Sequence, residues 1–149
     1  MIHVRPGEAR DIEAIVALQL RLARETEDLR LDRAVVTRGV RAVVGDPAKG
    51  RYWLAEEDGE TLGCLLTVPE WSDWRNGTVL WIHSLYVRPE SRRRGVFRSL
   101  YAHLKGMVEA DDSLKGLRLY VNRRNAAAKK VYEAMGMDGQ HYEMFEWLA

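Results

Sequence analysis

The sequence predicts an α/β (α+β) chain with the element order β-α-α-β-β-β-α-β-α-β. Three observations point to it. The stretch Trp81–Leu100 reads as a strand, a basic turn, a glycine and the start of an amphipathic helix. Two hairpin signals, Asp58-Gly59 and Asn76-Gly77, sit between runs rich in aromatic and branched residues. The residues before Gly45 carry apolar positions at helical spacing. A length of 149 residues suits one domain, 1–149, built on a single core.

Ile2–Arg5 is a short strand closed by Pro6-Gly7. Glu8 to about Glu25 is a helix, with Ile12, Ile15, Leu18 and Leu22 on one face and the acids Glu8 and Asp11 in its first turn. A second helix runs from Asp32, a natural N-cap, to Val44, with Val36, Val40 and Val43 inward. Arg51–Glu57 is a strand and Asp58-Gly59 its turn. The returning strand covers Leu62–Val68 and extends towards Trp71. It contains Cys64, which reads as a small packed residue, since no activating partner is patterned beside it.

Val79–Val87 is the next strand, and Pro89 stops it. The helix after the arginines presents Phe97, Leu100, Tyr101, Leu104, Met107 and Val108 on one face. Leu117–Val121 is a short strand. Asn122–Asn125 leads to a helix with Ala128, Val131 and Met135 aligned, ended by Gly136. Gln140–Trp147 alternates enough to predict a final strand.

Composition removes several classes of function. Net charge is +1, from 23 basic and 22 acidic residues, far from the surplus of a nucleic-acid binder. A small RNA or DNA binder using the arginine turn also lacks a basic aromatic strand face. A single cysteine forbids an internal disulfide framework and fits a reducing compartment, so a cytoplasmic location is expected. No apolar run approaches the ~20 residues needed to span a membrane. Met1–Pro6 lacks the apolar core of a signal peptide. His3, His83, His103 and His141 show no metal-ligand spacing, so no metal is expected.

The chemistry concentrates at Arg92-Arg93-Arg94-Gly95-Val96-Phe97-Arg98. The first N–H groups of a helix lack internal partners and carry the positive end of its dipole, so they suit phosphate. Gly95 lets an anion approach the backbone. Arg92, Arg93, Arg94 and Arg98 add guanidinium donors. The alternative is an exposed basic turn on a solvated helix. The segment Glu70-Trp71-Ser72-Asp73-Trp74 alternates carboxylates with tryptophans. It reads either as a hairpin tip folded onto the sheet or as a rim that holds a cationic group.

Neither a P-loop nor a dinucleotide fingerprint is present. The R-x-x-G-x-F run from Arg92 to Phe97 instead resembles the pyrophosphate loop of the GNAT superfamily, the GCN5-related N-acetyltransferases. That loop reads [QR]-x-x-G-x-[GA], so Phe97 stands where a small residue is usual. Asn125-x-x-Ala128-x-x-x-Tyr132-x-x-x-Gly136-Met137 is similar to a second pattern of the same superfamily, in the expected order. The resemblance covers essentially the whole chain and is closest to small stand-alone bacterial members.

That resemblance implies a mixed, mostly antiparallel sheet with helices on both faces. Its fourth and fifth strands splay apart near Val87 and Val121. Acetyl-CoA would lie in the gap, its pantetheine arm bonded to backbone groups at Leu85, Tyr86 and Val87 and to the amide of Asn125. Its pyrophosphate would sit on the amides from Arg93 to Arg98. The reaction implied is direct attack of a neutral primary amine, of a small molecule or peptide, on the thioester. A strand N–H near Leu85 would polarise the carbonyl. Tyr132 is the family's position for the acid that protonates the leaving thiolate, and otherwise a core tyrosine. The carboxylate frequent on the fourth strand is missing. His83 stands there instead, as a base near neutral pH or as a packed strand residue. Glu70 is the alternative base. Glu25, Glu27, Glu70 and Asp73 lean towards a cationic acceptor. A CoA-binding module without transferase activity is the competing reading. Exposed strand edges and the aromatic loop admit a homodimer.

Overall fold

The computed structural model describes residues 1–149. The chain divides into two compact units, Met1–Arg118 and Leu119–Ala149.

The first unit is a five-stranded sheet, β1 (His3–Pro6), β2 (Arg51–Glu57), β3 (Glu60–Ser72), β4 (Gly77–Val87) and β5 (Leu114–Arg118), in spatial order β1-β2-β3-β4-β5. The first four strands are antiparallel, and β5 joins β4 in parallel after the crossover helix α3 (Val96–Ala110). A parallel neighbour needs such a crossover, whereas antiparallel strands can close through tight turns. Asp58 and Asn76 adopt left-handed φ values of 52° and 47°, as short hairpin turns require.

Helices α1 (Ile12–Glu27) and α2 (Arg33–Gly45) precede the hairpins. A 3-10 turn over Ala9–Asp11 leads into α1, so the helix expected from Glu8 starts one turn later. Asp32 caps α2 by accepting from the amides of Ala34 and Val35. One face of the sheet, Tyr52, Leu54, Cys64 and Tyr86, packs with Ile15, Val16, Leu18 and Val40 of these two helices. The Cys64 thiol is sealed in this layer and accepts from Gln19 at 3.6 Å, which makes it a packing residue. Trp53 faces away from that layer, tilts against His103 of α3 and donates to Thr67. Leu100 and Leu104 of α3 are fully buried.

The second unit holds α4 (Ala126–Ala134), which Asn125 caps by accepting from the Ala128 amide at 3.1 Å. This gives the asparagine of the sequence pattern its role as the helix N-cap. Gly136 closes the helix at φ 86°.

Two boundaries differ from the sequence expectation. The strand expected over Leu117–Val121 is Leu114–Arg118, displaced towards the N-terminus. Its ladder with β4 ends at Trp81↔Arg118, just before β4 bulges. The strand expected over Gln140–Trp147 does not form. Alternation marks a propensity, but a strand exists only through a ladder. Here apolar side chains fall on both alternate faces, Tyr142 and Met144 on one, Phe145 and Trp147 on the other, so no register is singled out.

Candidate active site

The site begins with an irregularity in β4. His83 pairs with Leu66 and Tyr86 with Cys64, so β4 spends one more residue than β3 between the two pairs. The surplus is a β-bulge, and Ser84 takes a left-handed φ of 53°, uncommon for a residue that is not glycine. Gly63 makes room opposite. A Cβ there would lie 2.6 Å from the Tyr86 carbonyl oxygen and 3.2 Å from Val87 Cα.

A bulge increases local twist and re-aims the residues beyond it. After Trp81 the ladder with β5 has ended, yet β4 continues to Val87. Arg88 donates its amide to Leu62 O on β3 at 2.9 Å. Antiparallel bonds alternate along a strand, so the N–H and C=O of Val87 point away from β3. Polar backbone at the end of β4 therefore faces the side that β5 has left.

Beyond β4 comes a 3-10 turn, Pro89–Ser91, and then the arginine run. Arg93 at φ 63° and Gly95 at φ 83° are both left-handed, on either side of Arg94. Turns of this kind orient successive N–H groups towards one concave space, which suits anions. Helix α3 begins at Val96, and no side chain caps it. A Cβ on Gly95 would meet nothing within 4 Å, so the space over the turn is open. A pyrophosphate fits this donor set: oriented amides, a helix N-terminus and exposed guanidinium groups.

The four arginines are not equivalent. Arg92 donates Nε to Val87 O at 3.0 Å and its terminal nitrogen to Glu25 at 2.7 Å. Arg94 is paired with Glu57, which also takes the N-terminal amine. Arg93 and Arg98 are exposed and carry no carboxylate partner. Phe97 is half-buried and tilts against Tyr101 with ring centroids 6.0 Å apart, so its bulk lies along the helix.

His83 lies on the face of β4 that packs towards α1 and α2, opposite Leu66. It stacks on Trp81, with centroids 6.1 Å apart and planes 8° from parallel. Burial holds its pKa below the ordinary 6.5, so the ring is mostly neutral at pH 7. Trp81 donates its indole N–H to Glu70, and Arg118 approaches the same carboxylate at 3.7 Å. Trp81 and Arg118 thus join His83 and Glu70 in one row across the sheet. Sequence reasoning missed both; the signal was their place, the residue two before His83 and the last residue of the neighbouring strand.

Three of the acids expected to attract an acceptor do not converge. Glu25 is bonded to Arg92 and, through Tyr86 Oη at 2.7 Å, to β4, and these bonds depress its pKa. Asp73 sits in the β3–β4 turn and accepts from the Trp74 amide. That turn is at the opposite end of β4 from Val87, roughly 33 Å away along the strand. Trp71 and Trp74 are 64% and 89% exposed there, so the aromatics are not folded onto the sheet.

In the second unit, the Asn125 amide donates to Asn122 O at 2.9 Å, so the donor expected for pantetheine is engaged within its own turn. Tyr132 stands half-buried on α4, and burial pushes its phenol above the ordinary value, which keeps it protonated at neutral pH.

A model of the acetyltransferase (GNAT) family matches residues 12–137. The chain belongs to that family. The solved structures agree with the assignment. A possible acetyltransferase from Clostridium difficile 630 is 38% identical, with a TM-score of 0.93 over 100% of this chain and 98% of that one. The aminoglycoside N-acetyltransferase AAC(6')-Iy, bound to the bisubstrate analogue CoA-S-monomethyl-acetylneamine, shares the fold. It has 15% identity and a TM-score of 0.81, covering 100% of this chain and 99% of that one. So does a ribosomal-protein-alanine N-acetyltransferase from Brucella melitensis biovar Abortus 2308, at 16% identity and TM-score 0.79, covering 99% and 100%. No curated protein matches the chain significantly. As a GNAT member, the protein carries the superfamily's first pattern on the turn between β4 and α3 and its second on α4.

Proposed function

We propose that the protein transfers an acetyl group from acetyl-CoA to a primary amine of a small molecule or peptide by direct attack. The observation that carries this reading is the end of β4. There, outward-facing backbone at Val87 runs into a turn whose amides and uncapped helix suit a pyrophosphate. The neighbours support it: one binds a CoA-linked aminoglycoside analogue and another is named for a ribosomal protein alanine.

Acetyl-CoA supplies the activated acyl group as a thioester. The chain's residues supply the rest. Val87 and Leu85 hold the pantetheine arm through their backbone, and Arg93 and Arg98 neutralise phosphate charge. A β4 amide near Leu85 faces the thioester oxygen and stabilises charge that develops there. His83, neutral at pH 7, takes a proton from the incoming ammonium, directly or through water. An amine of pKa near 10 is otherwise mostly charged. Tyr132, still protonated, gives its proton to the departing sulfur. Glu70, already bonded to Trp81 and Arg118, is less suited to act as base and orients that row instead.

The test is free-thiol release from acetyl-CoA across a panel of amines, with Tyr132→Phe alongside. Release with one amine class, with kcat falling in the variant and CoA affinity kept, supports transfer and the acid role. CoA binding without release from any amine would favour a binding module. Absence of CoA binding would overturn the phosphate-turn reading.

A further inference from the structure

The first arginine of the phosphate turn folds back onto the end of β4 and the last turn of α1, with its side chain still 48% exposed. Arg92 makes three contacts, none of them towards the open space over Gly95. Nε donates to Val87 O at 3.0 Å, a terminal nitrogen donates to Glu25 Oε2 at 2.7 Å, and the guanidinium lies 5.7 Å from the Tyr86 ring centroid. Glu25 Oε1 accepts in turn from Tyr86 Oη at 2.7 Å. Tyr86 is 3% exposed and belongs to the main core cluster. The set therefore ties the last turn of α1, the end of β4 and the start of the arginine run to the core.

This arrangement has a geometric consequence. The Val87 carbonyl is one of the two backbone groups that face away from β3. A guanidinium held on it fixes the direction in which the strand end points. Glu25 is what fixes the guanidinium, since a bidentate-capable carboxylate restricts the long arginine side chain to one arrangement. The same carboxylate is thereby unavailable to an acceptor amine.

We propose that Glu25, Tyr86 and Arg92 form a clamp that sets the end of β4 against the phosphate turn, with Arg92 and Glu25 as positioning residues rather than ligands of phosphate or acceptor. Phosphate charge then falls to Arg93, Arg98 and the turn amides. This rests on the acetyl-CoA reading above.

The test measures affinity for CoA and for pantetheine, which lacks the phosphates, by calorimetry at several salt concentrations. The proteins are wild type, Arg92→Gln, Glu25→Gln, the double variant, and Tyr86→Phe, which removes only a hydroxyl. A clamp predicts that Arg92→Gln and Glu25→Gln each weaken CoA about tenfold, the scale of one lost charge-assisted hydrogen bond. Pantetheine weakens by the same factor, the double variant is no worse than either single one, and the salt dependence of CoA binding is unchanged. Tyr86→Phe gives a smaller loss of the same kind. The clamp is overturned if Glu25→Gln leaves CoA affinity unchanged or tightens it. It is equally overturned if Arg92→Gln weakens CoA alone and flattens its salt dependence, because Arg92 then meets phosphate directly. Failure of the wild-type protein to bind CoA would overturn the acetyl-CoA reading itself, a different outcome from either.

Discussion

Replacing Gly95 by alanine separates what the phosphate turn costs in stability from what it does in binding. Gly95 has φ 83° and ψ 14°, a left-handed conformation that costs an L-residue about 1–2 kcal/mol. Alanine recovers about 0.4–1 kcal/mol of this by restricting the unfolded chain. Its Cβ would meet nothing within 4 Å, so no packing penalty is added. The net loss is then about 1 kcal/mol, or roughly 2–4 °C in Tm for a chain of this size. The methyl group would project into the open space over the turn. If pyrophosphate sits there, at least one charge-assisted hydrogen bond from the turn lengthens or breaks, worth about 1.5–3 kcal/mol and roughly ten- to a hundredfold in CoA affinity. Thermal melting reads the first quantity. Calorimetry with CoA and with pantetheine reads the second, and only CoA should weaken. Equal loss for both ligands, or a shifted Tm with unchanged CoA affinity, would refute the placing of phosphate over Gly95.

Other perturbations address the base, the bulge and the N-terminal anchor. If His83 is the base, kcat rises with pH through an inflection below 6.5 and is flat at neutral pH, because burial favours the neutral ring; His83→Gln should abolish the inflection and cost about 10²–10⁴ in rate. An inflection that survives the substitution assigns the base elsewhere. Gly63→Ala should destabilise by about 1–3 kcal/mol, since its Cβ would lie 2.6 Å from the Tyr86 carbonyl oxygen, and should weaken CoA as the end of β4 shifts. Melting and calorimetry check both effects, and an unchanged Tm would contradict the close approach. Asp11 accepts from Arg5 at 2.7 and 2.8 Å and from the Glu8 amide at 2.8 Å, contacts that hold its pKa below the usual carboxylate value. With a folded pKa depressed below ~3.9, its contribution is complete above that pH and is lost as pH falls through the folded value. Asp11→Asn should therefore cost about 2 kcal/mol at pH 7 in denaturant titrations, and progressively less as the pH falls through the folded value.

Local signals carried most of the fold into the sequence. Arg51–Glu57 and its Asp58-Gly59 turn are legible because φ > 0 is needed at the turn and because the apolar run has strand length. Asp32 is legible as a cap because its carboxylate reaches amides two and three residues on. What was not legible depends on distance in the chain. Nothing in Ser84 announces a left-handed residue; the bulge arises from β3 and β4 pairing around Gly63, some twenty residues away. The residues of the row Glu70, Trp81, His83 and Arg118 come from three strands, and only register brings them onto one face. For the same reason the sequence does not show that Glu25 is bonded to Arg92 and Tyr86, or that Glu70 is bonded to Trp81. Composition counts charges, whereas ion pairs formed across the fold decide which of them remain available.

The arginine run shows how far that distinction reaches. In sequence, Arg92, Arg93 and Arg94 are three equal cations before a glycine. Left-handed backbone at Arg93 turns its neighbours to different sides, and each side offers a different partner. Arg92 meets Glu25 from α1, and Arg94 meets Glu57 from the end of β2. Arg93 and Arg98 are left facing solvent. On the acetyl-CoA reading proposed above, the unpaired positive charge offered to a phosphate is that of two guanidinium groups and a helix N-terminus, not of four arginines. In the proposed clamp Arg92 positions the end of the strand, while Arg94 is paired with Glu57. An anion site built this way draws its directionality from backbone amides, which point in set directions, and leaves the mobile side chains to supply charge. That division is why removal of Arg92 should disturb pantetheine and CoA alike, while removal of Arg98 should disturb CoA alone.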